Sequence, residues 1–486
     1  MPFNSFPFVL LFLPLVVVGY RLTIKGLSLR MARGFLLAAS LTFYGFYRWT
    51  YLPVLLASIL LNFGVAHRVA EAEGRTRLRW LWTGILLNLV ILCTFKYASI
   101  LRPVLGHVAG PAFALPDWGF PLGISFFTLQ QVAYLVDVYE NLLIPQRLGV
   151  HALFVSFFPY VTAGPISRGK QMIPQLERGG REGDRALDVA RGLAMFATGL
   201  FKKVVFADCF RTIVDKGMTD PFALSSLEAW CCTLAYTMEI YFDFSGYSDM
   251  ALGAALLLGF DIPRNFDAPY RARSIIEFWQ RWHISLSQFI TTYLYTPIIR
   301  LFRKATLRSA AVATMVSMLV AGAWHGPSWN FVIFGGLHGV GLVVNQTWKK
   351  KSKRRLPAAA AWALTLAWIN LSFIFFRLPD LHSALHVVRM LLPFDNPFGG
   401  SGILLPVSAR TGMLQIAEVV SRPALWTVGL PALIAAPLAV LGPSSHWWLD
   451  DFRPTIATAA AVAALLLIAF LFMNSANATD FIYFRF

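Results

Sequence analysis

The stretch Gly322–Gly339, GAWHGPSWNFVIFGGLHG, sets two histidines and an asparagine into a run otherwise apolar enough to sit in lipid. Its Gly326-Pro327 pair interrupts any helix passing through it, because proline is accepted in a first helical turn and drives the preceding residue out of the helical region. The expected form is a hairpin of two apolar arms, with the second helix starting at Pro327 and His325 at the break. There, the free N–H groups and positive end of the second helix would favour the neutral imidazole that a general base needs, and could stabilise an oxyanion. His338 falls near the opposite face at about 100° per residue, so the two rings are not expected to share a ligand through a straight helix. For each histidine, packing against the core with the ring bonded to a backbone carbonyl stays open.

The rest of the chain explains why such a run is tolerated. Of 486 residues, 57% are hydrophobic, 15% aromatic and only 14% charged, outside the range of ordinary soluble domains. Apolar runs near the length needed to cross a bilayer recur, among them Phe35–Tyr51, Leu81–Phe95, Ala310–Ala323, Leu356–Phe376 and Thr455–Phe472. They predict an all-α polytopic membrane protein of about eleven to thirteen membrane segments, several short or broken by proline. Phe6–Tyr20 lacks a basic leader and a small-residue cleavage site, so it reads as a first span. No soluble domain and no internal repeat are visible.

The net charge of +17 is scattered through short loops, which is the positive-inside pattern and not a nucleic-acid surface. Arg21, Lys25, Arg30 and Arg33, then Arg75, Arg77 and Arg79, and Lys349–Arg355 are read as cytoplasmic, which puts both termini on the outer side. Three regions follow: hydrophobic hairpins over Met1–Tyr97, a polar-studded core over Pro121–Val344, and ordinary spans from Leu356 on, interrupted by a mixed-charge loop, Leu378–Arg422. Cys93, Cys209, Cys231 and Cys232 have no metal-ligand spacing and read as packing residues.

Two further stretches of the core carry candidate chemistry. In MEIYFDFSGYSDMALG (Met238–Gly253), Glu239 and Asp243 are one helical turn apart, Tyr247 lies another turn on, and Asp249 is on a different face. Acids at membrane depth cost about 2.5–3.5 kcal/mol each and normally face the bundle interior. Two readings are open: they serve the reaction, or an arginine neutralises them and holds helices together. Gly246 and Ser245 allow close helix packing either way. The stretch RNFDAPYRARSIIEFWQRWHISLS (Arg264–Ser287) is too basic to span and reads as an amphipathic segment at the cytoplasmic interface. Arg271, Arg273, Arg281 and His283 there suit phosphate groups, Glu277 can pair with Arg281, and a plain lipid-headgroup anchor is the alternative.

WHG (Trp324–Gly326), LHG (Leu337–Gly339), EFWQRWHISLS, IYFDFSGYSDMALG, PLGISFFTLQQVAYLVDVYE, AGPISR and the closing FIYFRF together resemble the membrane-bound O-acyltransferases, in the bacterial branch that acetylates exopolysaccharides such as alginate. A sister branch moves D-alanine onto teichoic acids; SGYSDMA with Asp249 looks more like the polysaccharide branch. After RWHISLS the family usually continues Arg-Asp-Tyr-Leu-Tyr-Ile-Pro and glycines, where this chain has TTYLYTPIIRLFRK.

The resemblance implies a ring of tilted helices with short re-entrant segments around a central cavity, spanning residues 1–486 as one domain in a bacterial inner membrane. It implies catalytic roles for His325 and His283, no metal and no bound cofactor, and acetyl-CoA as donor substrate. Asp243, Asp249, Tyr247, Trp324 and Asn330 would support the cavity, and Arg281 and Arg273 would hold the donor. The implied partners are a periplasmic SGNH-like acetyltransferase that receives the acetyl group, a polysaccharide synthesis and export complex, and the lipid bilayer, with no nucleic acid. The acceptors left open within the family are alginate or another exopolysaccharide, peptidoglycan and teichoic acid. A proton- or cation-coupled transporter using Glu239, Asp243, Asp249 and the histidines as a relay is the competing class.

Overall fold

A computed structural model describes residues 1–98, 119–392, 429–475 and 481–482. Most of the loop Leu378–Arg422 and the end of FIYFRF lie outside the described residues. Among the described residues the chain is helical throughout, with loops and no strand. The N-terminal hairpins are α1 (Leu13–Gly26), α2 (Leu29–Tyr47), α3 (Leu52–Glu71) and α4 (Gly74–Lys96). After them come α5 (Ile124–Tyr139), α6 (Arg185–Phe201) and α7 (Ser226–Leu258). Two short helices, α8 (Ile275–Arg281) and α9 (Ile284–Ile290), precede the hairpin α10 (Leu307–His325) and α11 (Trp329–Lys351), and the chain continues through α12 (Ala358–Arg377) and α13 (Ile456–Ser475). Shorter helices connect them.

Among the described residues, six helices are long and apolar enough to cross a membrane: Pro7–Gly26, Trp49–Glu71, Gly74–Lys96, Leu307–His325, Ala358–Arg377 and Ile456–Asn474. Their outer faces carry exposed leucines such as Leu10, Leu15, Leu86 and Leu467, as lipid-facing helices require. Between α3 and α4, Asn62 and Asn88 exchange amide hydrogen bonds of 3.1 and 2.7 Å, a pairing worth about 0.6 kcal/mol in such helices.

The centre is α7, buried over most of its 33 residues. Ser225 and Glu228 form a capping box at its start, and left-handed Gly259 ends it. It lies against α6 so closely that a Cβ at Gly246 would come 2.8 Å from the Gly199 carbonyl oxygen, and one at Gly253 would come 2.6 Å from that of Gly192. The glycines recur two turns apart on both helices, so their backbones touch along a single seam. Gly246 thus packs as its small size predicts.

The hairpin around the opening stretch is built the same way. A Cβ at Gly322 would lie 2.3 Å from the Phe331 carbonyl oxygen, and one at Gly335 would lie 2.3 Å from that of Met318. The second arm starts later than expected. Gly326 is extended, Pro327 follows, and Ser328 is the N-cap, its hydroxyl accepting from the Asn330 N–H at 3.3 Å, so the helix begins at Trp329. The serine cap, favoured over proline for satisfying a free N–H, sets the boundary.

Arg264–Ser287 is also different from the surface anchor expected of it. Phe278, Trp279 and Trp282 are buried, and the Trp279 indole N–H donates to His338 Nδ1 at 3.2 Å. The apolar face is turned into protein and not into lipid; alternation of apolar and basic residues cannot distinguish those two partners.

Candidate active site around His325

His325 is the last residue of α10 and is buried. It therefore sits at the carbonyl end of its own helix, at the break before α11. Carbonyls left over at a helix end need donors, and α4 supplies them. Lys96 Nζ donates to the Trp324 carbonyl, and the Tyr97 hydroxyl donates to that of Ala323 at 2.5 Å. Aromatic rings wall the imidazole: Trp324 at 4.9 Å, Phe376 at 5.1 Å and Phe334 at 5.8 Å between centroids.

Beside it is a void of ≈ 20 Å³ bounded by Lys96, Ser125, Phe126, Thr162, Trp324 and His325. That is room for about one water-sized group. The loop that closes it depends on Gly123, whose φ of +74° and approach to Val161, 2.2 Å from a notional Cβ to the carbonyl oxygen, exclude any side chain. Tyr247 does not border the void. It hydrogen-bonds Thr162, which does, and stacks between Phe481 and Phe3 at 4.5 and 4.9 Å.

His283 lies behind Phe126, 6.5 Å between ring centroids, within electrostatic reach of His325 together with Lys96 and His338. Its backbone is left-handed, φ +44°, a conformation that costs a residue with a side chain about 1–2 kcal/mol. Its Nδ1 is 3.0 Å from Asn265 Oδ1, an oxygen that also accepts from the Ser285 hydroxyl, while the Asn265 amide donates to Ser248. That network makes Nδ1 the protonated nitrogen and leaves the buried Nε2, which has no hydrogen-bond partner among the described residues, as a bare acceptor. His338 is separated from His325 by Phe334, which contacts both rings, and its Nδ1 is occupied by Trp279. The two histidines belong to different helices, so the opposite-face argument for one straight helix does not apply to them.

The acids are held elsewhere. Asp243 accepts from Lys203 at 2.7 Å and from the Ile482 N–H at 2.8 Å, Lys203 also reaches Asp208 at 2.7 Å, and Asp249 pairs with Lys202 at 2.8 Å. The cations that neutralise Asp243 and Asp249 are thus two consecutive lysines of the π-helical turn Lys202–Ala207; among the described residues, buried Glu239 joins neither pair. Neither Asp243 nor Asp249 borders the void. Asn330 ties the start of α11 to the end of α12, its amide donating to the Leu378 carbonyl at 2.8 Å. Arg281 pairs with Glu277 at 3.1 Å, as the spacing suggested, and with Asp267 at 3.5 Å; Arg273 is exposed.

A larger cavity, ≈ 570 Å³, opens between α8, α9, α10 and α11; Arg168, Trp279, Thr291, Ser317, Met318 and Gln346 are among its walls. Met318 precedes His325 by two turns of one helix, about 10 Å. Thr291 belongs to the TTYLY turn, so that turn forms part of this cavity's wall. Lys96 and Arg168 were not singled out from sequence. A lone lysine inside an apolar span was the available signal for the first.

A polar void for one small group, an imidazole at its edge and a roomy cavity further along the same helix can serve group transfer to or from a hydroxyl or thiol. Comparison with known proteins agrees. The profile described as MBOAT, membrane-bound O-acyltransferase family, matches residues 150–379, which include both His283 and His325. The chain is 34% identical to the peptidoglycan O-acetyltransferase of Helicobacter pylori over 523 aligned positions, covering 100% of this chain and 97% of that protein. It is 31% identical to a protein of Azotobacter vinelandii named "Probable alginate O-acetylase AlgI", with 100% of both chains covered. A teichoic acid D-alanyltransferase of Streptococcus thermophilus is 31% identical over 242 positions, 48% of this chain and 58% of that one. With relatives of this identity along its full length and six apolar helices, the chain is a multi-pass membrane acyltransferase and belongs to the membrane-bound O-acyltransferase family.

Proposed function

We propose that this enzyme takes an acetyl group from a cytoplasmic thioester, acetyl-CoA being the simplest, and passes it across the inner membrane for O-acetylation of an exopolysaccharide such as alginate. His325 is the base. It removes the proton from the accepting hydroxyl as that oxygen attacks the thioester carbonyl, and returns a proton to the departing thiolate. His283, with Nε2 bare and its tautomer set by Asn265, is the second catalytic position. The whole chain works as one domain, a ring of about eleven to thirteen membrane segments with both termini periplasmic.

The observation that carries this reading is the position of the void relative to the basic loops. Helices α4 and α10 both begin at basic loops, and their far ends meet through Lys96, Tyr97 and the last carbonyls of α10. The 19 residues of α10 span about 27 Å, close to the bilayer core thickness of about 30 Å. The void then lies toward the outer side and the 570 Å³ cavity toward the inner side, where a thioester arm enters. Exposed Arg273, and Arg168 at the cavity, meet the donor's phosphates; Arg281 contributes by holding that loop through Glu277 and Asp267. A periplasmic SGNH-like acetyltransferase receives the acetyl group and works beside the polymer synthesis and export complex.

Peptidoglycan is the second reading for the acceptor, favoured by the full-length similarity to the Helicobacter pylori protein. The test is acetate released by mild base from purified exopolysaccharide and from purified peptidoglycan of cells carrying wild-type protein or His325→Ala. Loss of ester acetate from one polymer by about 10²-fold or more names both the base and the product. Unchanged acetylation of both, with the variant present in the membrane, removes His325 from the mechanism.

A further inference from the structure

We propose that Lys96 is the cation that stabilises the oxygen anion formed during acyl transfer at His325. The inference rests on the acyl-transfer reading above and names the group that makes the reaction electrostatically feasible in a dry site.

Lys96 is the last residue of α4 and only 7% exposed. Among the described residues the other lysines inside the bundle are matched: half-buried Lys202 has Asp249, and buried Lys203 has Asp208 and Asp243. Lys96 makes no ion pair among the described residues. Its ammonium donates to Ser125 Oγ at 3.2 Å and to the Trp324 carbonyl, and stands over the rings of Trp324 and Phe120 at 5.4 and 5.7 Å. An ammonium has three N–H donors, so two neutral acceptors leave one. A buried cation without a counter-charge is costly. Here the cation borders the ≈ 20 Å³ void shared with His325. That void holds about one small polar group, and the ammonium, two hydroxyls (Ser125 and Thr162) and the imidazole frame it.

The acceptor hydroxyl oxygen bonds to the thioester carbonyl carbon while its proton passes to His325. The carbonyl π pair moves onto the carbonyl oxygen, which becomes the anion held by the third N–H of Lys96. The pair then returns, the C–S bond breaks, and the thiolate takes the proton back from His325. The new ester and free thiol leave Lys96 and His325 as they began. Charge develops at the oxygen only in the tetrahedral state, so a fixed cation beside it acts on turnover and not on donor binding.

Lys96 also caps the end of α10, and the experiment separates that role from the charge. Lys96→Gln keeps donors for Ser125 and the Trp324 carbonyl but removes the charge; Lys96→Arg keeps both. With protein reconstituted in lipid and acetyl-CoA varied, Lys96→Gln is expected to elute and melt like wild type, keep its KM, and lose kcat by about 10²–10³-fold. Lys96→Arg is expected to recover at least about a tenth of kcat, because a guanidinium still presents a charged N–H to the void. A kcat for Lys96→Gln within about threefold of wild type overturns the proposal and leaves a helix cap. His325→Ala is assayed alongside: full activity there overturns the acyl-transfer site itself, whereas loss there with active Lys96→Gln overturns only the role of Lys96. Should Lys96→Gln not fold, wild-type protein supplies the answer. A CoA analogue with a tetrahedral methylphosphonyl anion in place of acetyl should inhibit at least about tenfold more tightly than neutral S-ethyl-CoA, and equal inhibition refutes an anion-stabilising cation.

Discussion

Replacing Lys203 by methionine decides what the intramembrane acids of α7 are for. Its ammonium, 3% exposed, lies 2.7 Å from both Asp208 and Asp243, whose side chains are almost as deeply buried. Lys203→Met keeps the stem but removes the cation that Asp208 and Asp243 share, and breaking a buried pair this way costs about 3–5 kcal/mol. Asp243→Asn is milder, about 1–2 kcal/mol, because the amide oxygen still accepts from Ile482 and Lys203 still has Asp208. In the Asp243→Asn background, losing Lys203 strands one carboxylate instead of two, so the double mutant should be more stable than the sum of the singles by about 1–3 kcal/mol. The assay is thermal unfolding of detergent-solubilised protein at one scan rate, with acetyl transfer measured on the same samples. Lys203→Met should lower Tm by about 5 °C or more. Asp243→Asn should retain turnover in proportion to folded protein. An Asp243→Asn protein that melts like wild type but is inactive would refute the structural reading and return the acids to the chemistry.

Two neighbouring glycines of the hairpin should respond in opposite ways: Gly335→Ala puts a methyl 2.3 Å from the Met318 carbonyl and should splay the arms and abolish activity, while Gly336→Ala meets nothing nearer than Leu319 at 3.6 Å and should be near neutral by yield and turnover. His338→Ala, assayed for polymer acetylation, should lose far less than the roughly 10²-fold expected of His325→Ala, because its ring bonds Trp279 and sits behind Phe334. In cells lacking the native cysteines, Trp329→Cys should label with an impermeant thiol reagent and Lys353→Cys should not. The reverse pattern would put His325 near the cytoplasm.

What could be read in advance follows the range of the interactions. The break at Gly326-Pro327, the close packing allowed by Gly246 and the Glu277–Arg281 pair are local or depend on residue size alone, and they stand as read. The start of α11 was misplaced by two residues because the Ser328 cap outweighed the preference of proline for a first turn. The lysine partners of Asp243 and Asp249 were missed for a different reason. Their reach depends on a π-helical turn about 40 residues earlier in the chain, which the spacing of acids within α7 does not reveal. Lys96 offered one signal, a lone lysine at the end of an apolar span, but its partner carbonyl is 228 residues away, so its place beside His325 depends on the tertiary fold. The burial of Trp279 and Trp282 shows the limit of amphipathic patterns, which report that one face is apolar and not whether protein or lipid covers it.

The central claim is that acetyl enters from the basic-loop side and leaves through His325. It is tested most directly in sealed inverted membrane vesicles, with radiolabelled acetyl-CoA outside and the periplasmic partner with its polymer enclosed. Label should accumulate on the enclosed polymer with wild-type protein and fall by about 10²-fold or more with His325→Ala, while free acetyl-CoA stays outside. Labelling that persists in His325→Ala, or that requires acetyl-CoA inside the vesicle, would contradict the account.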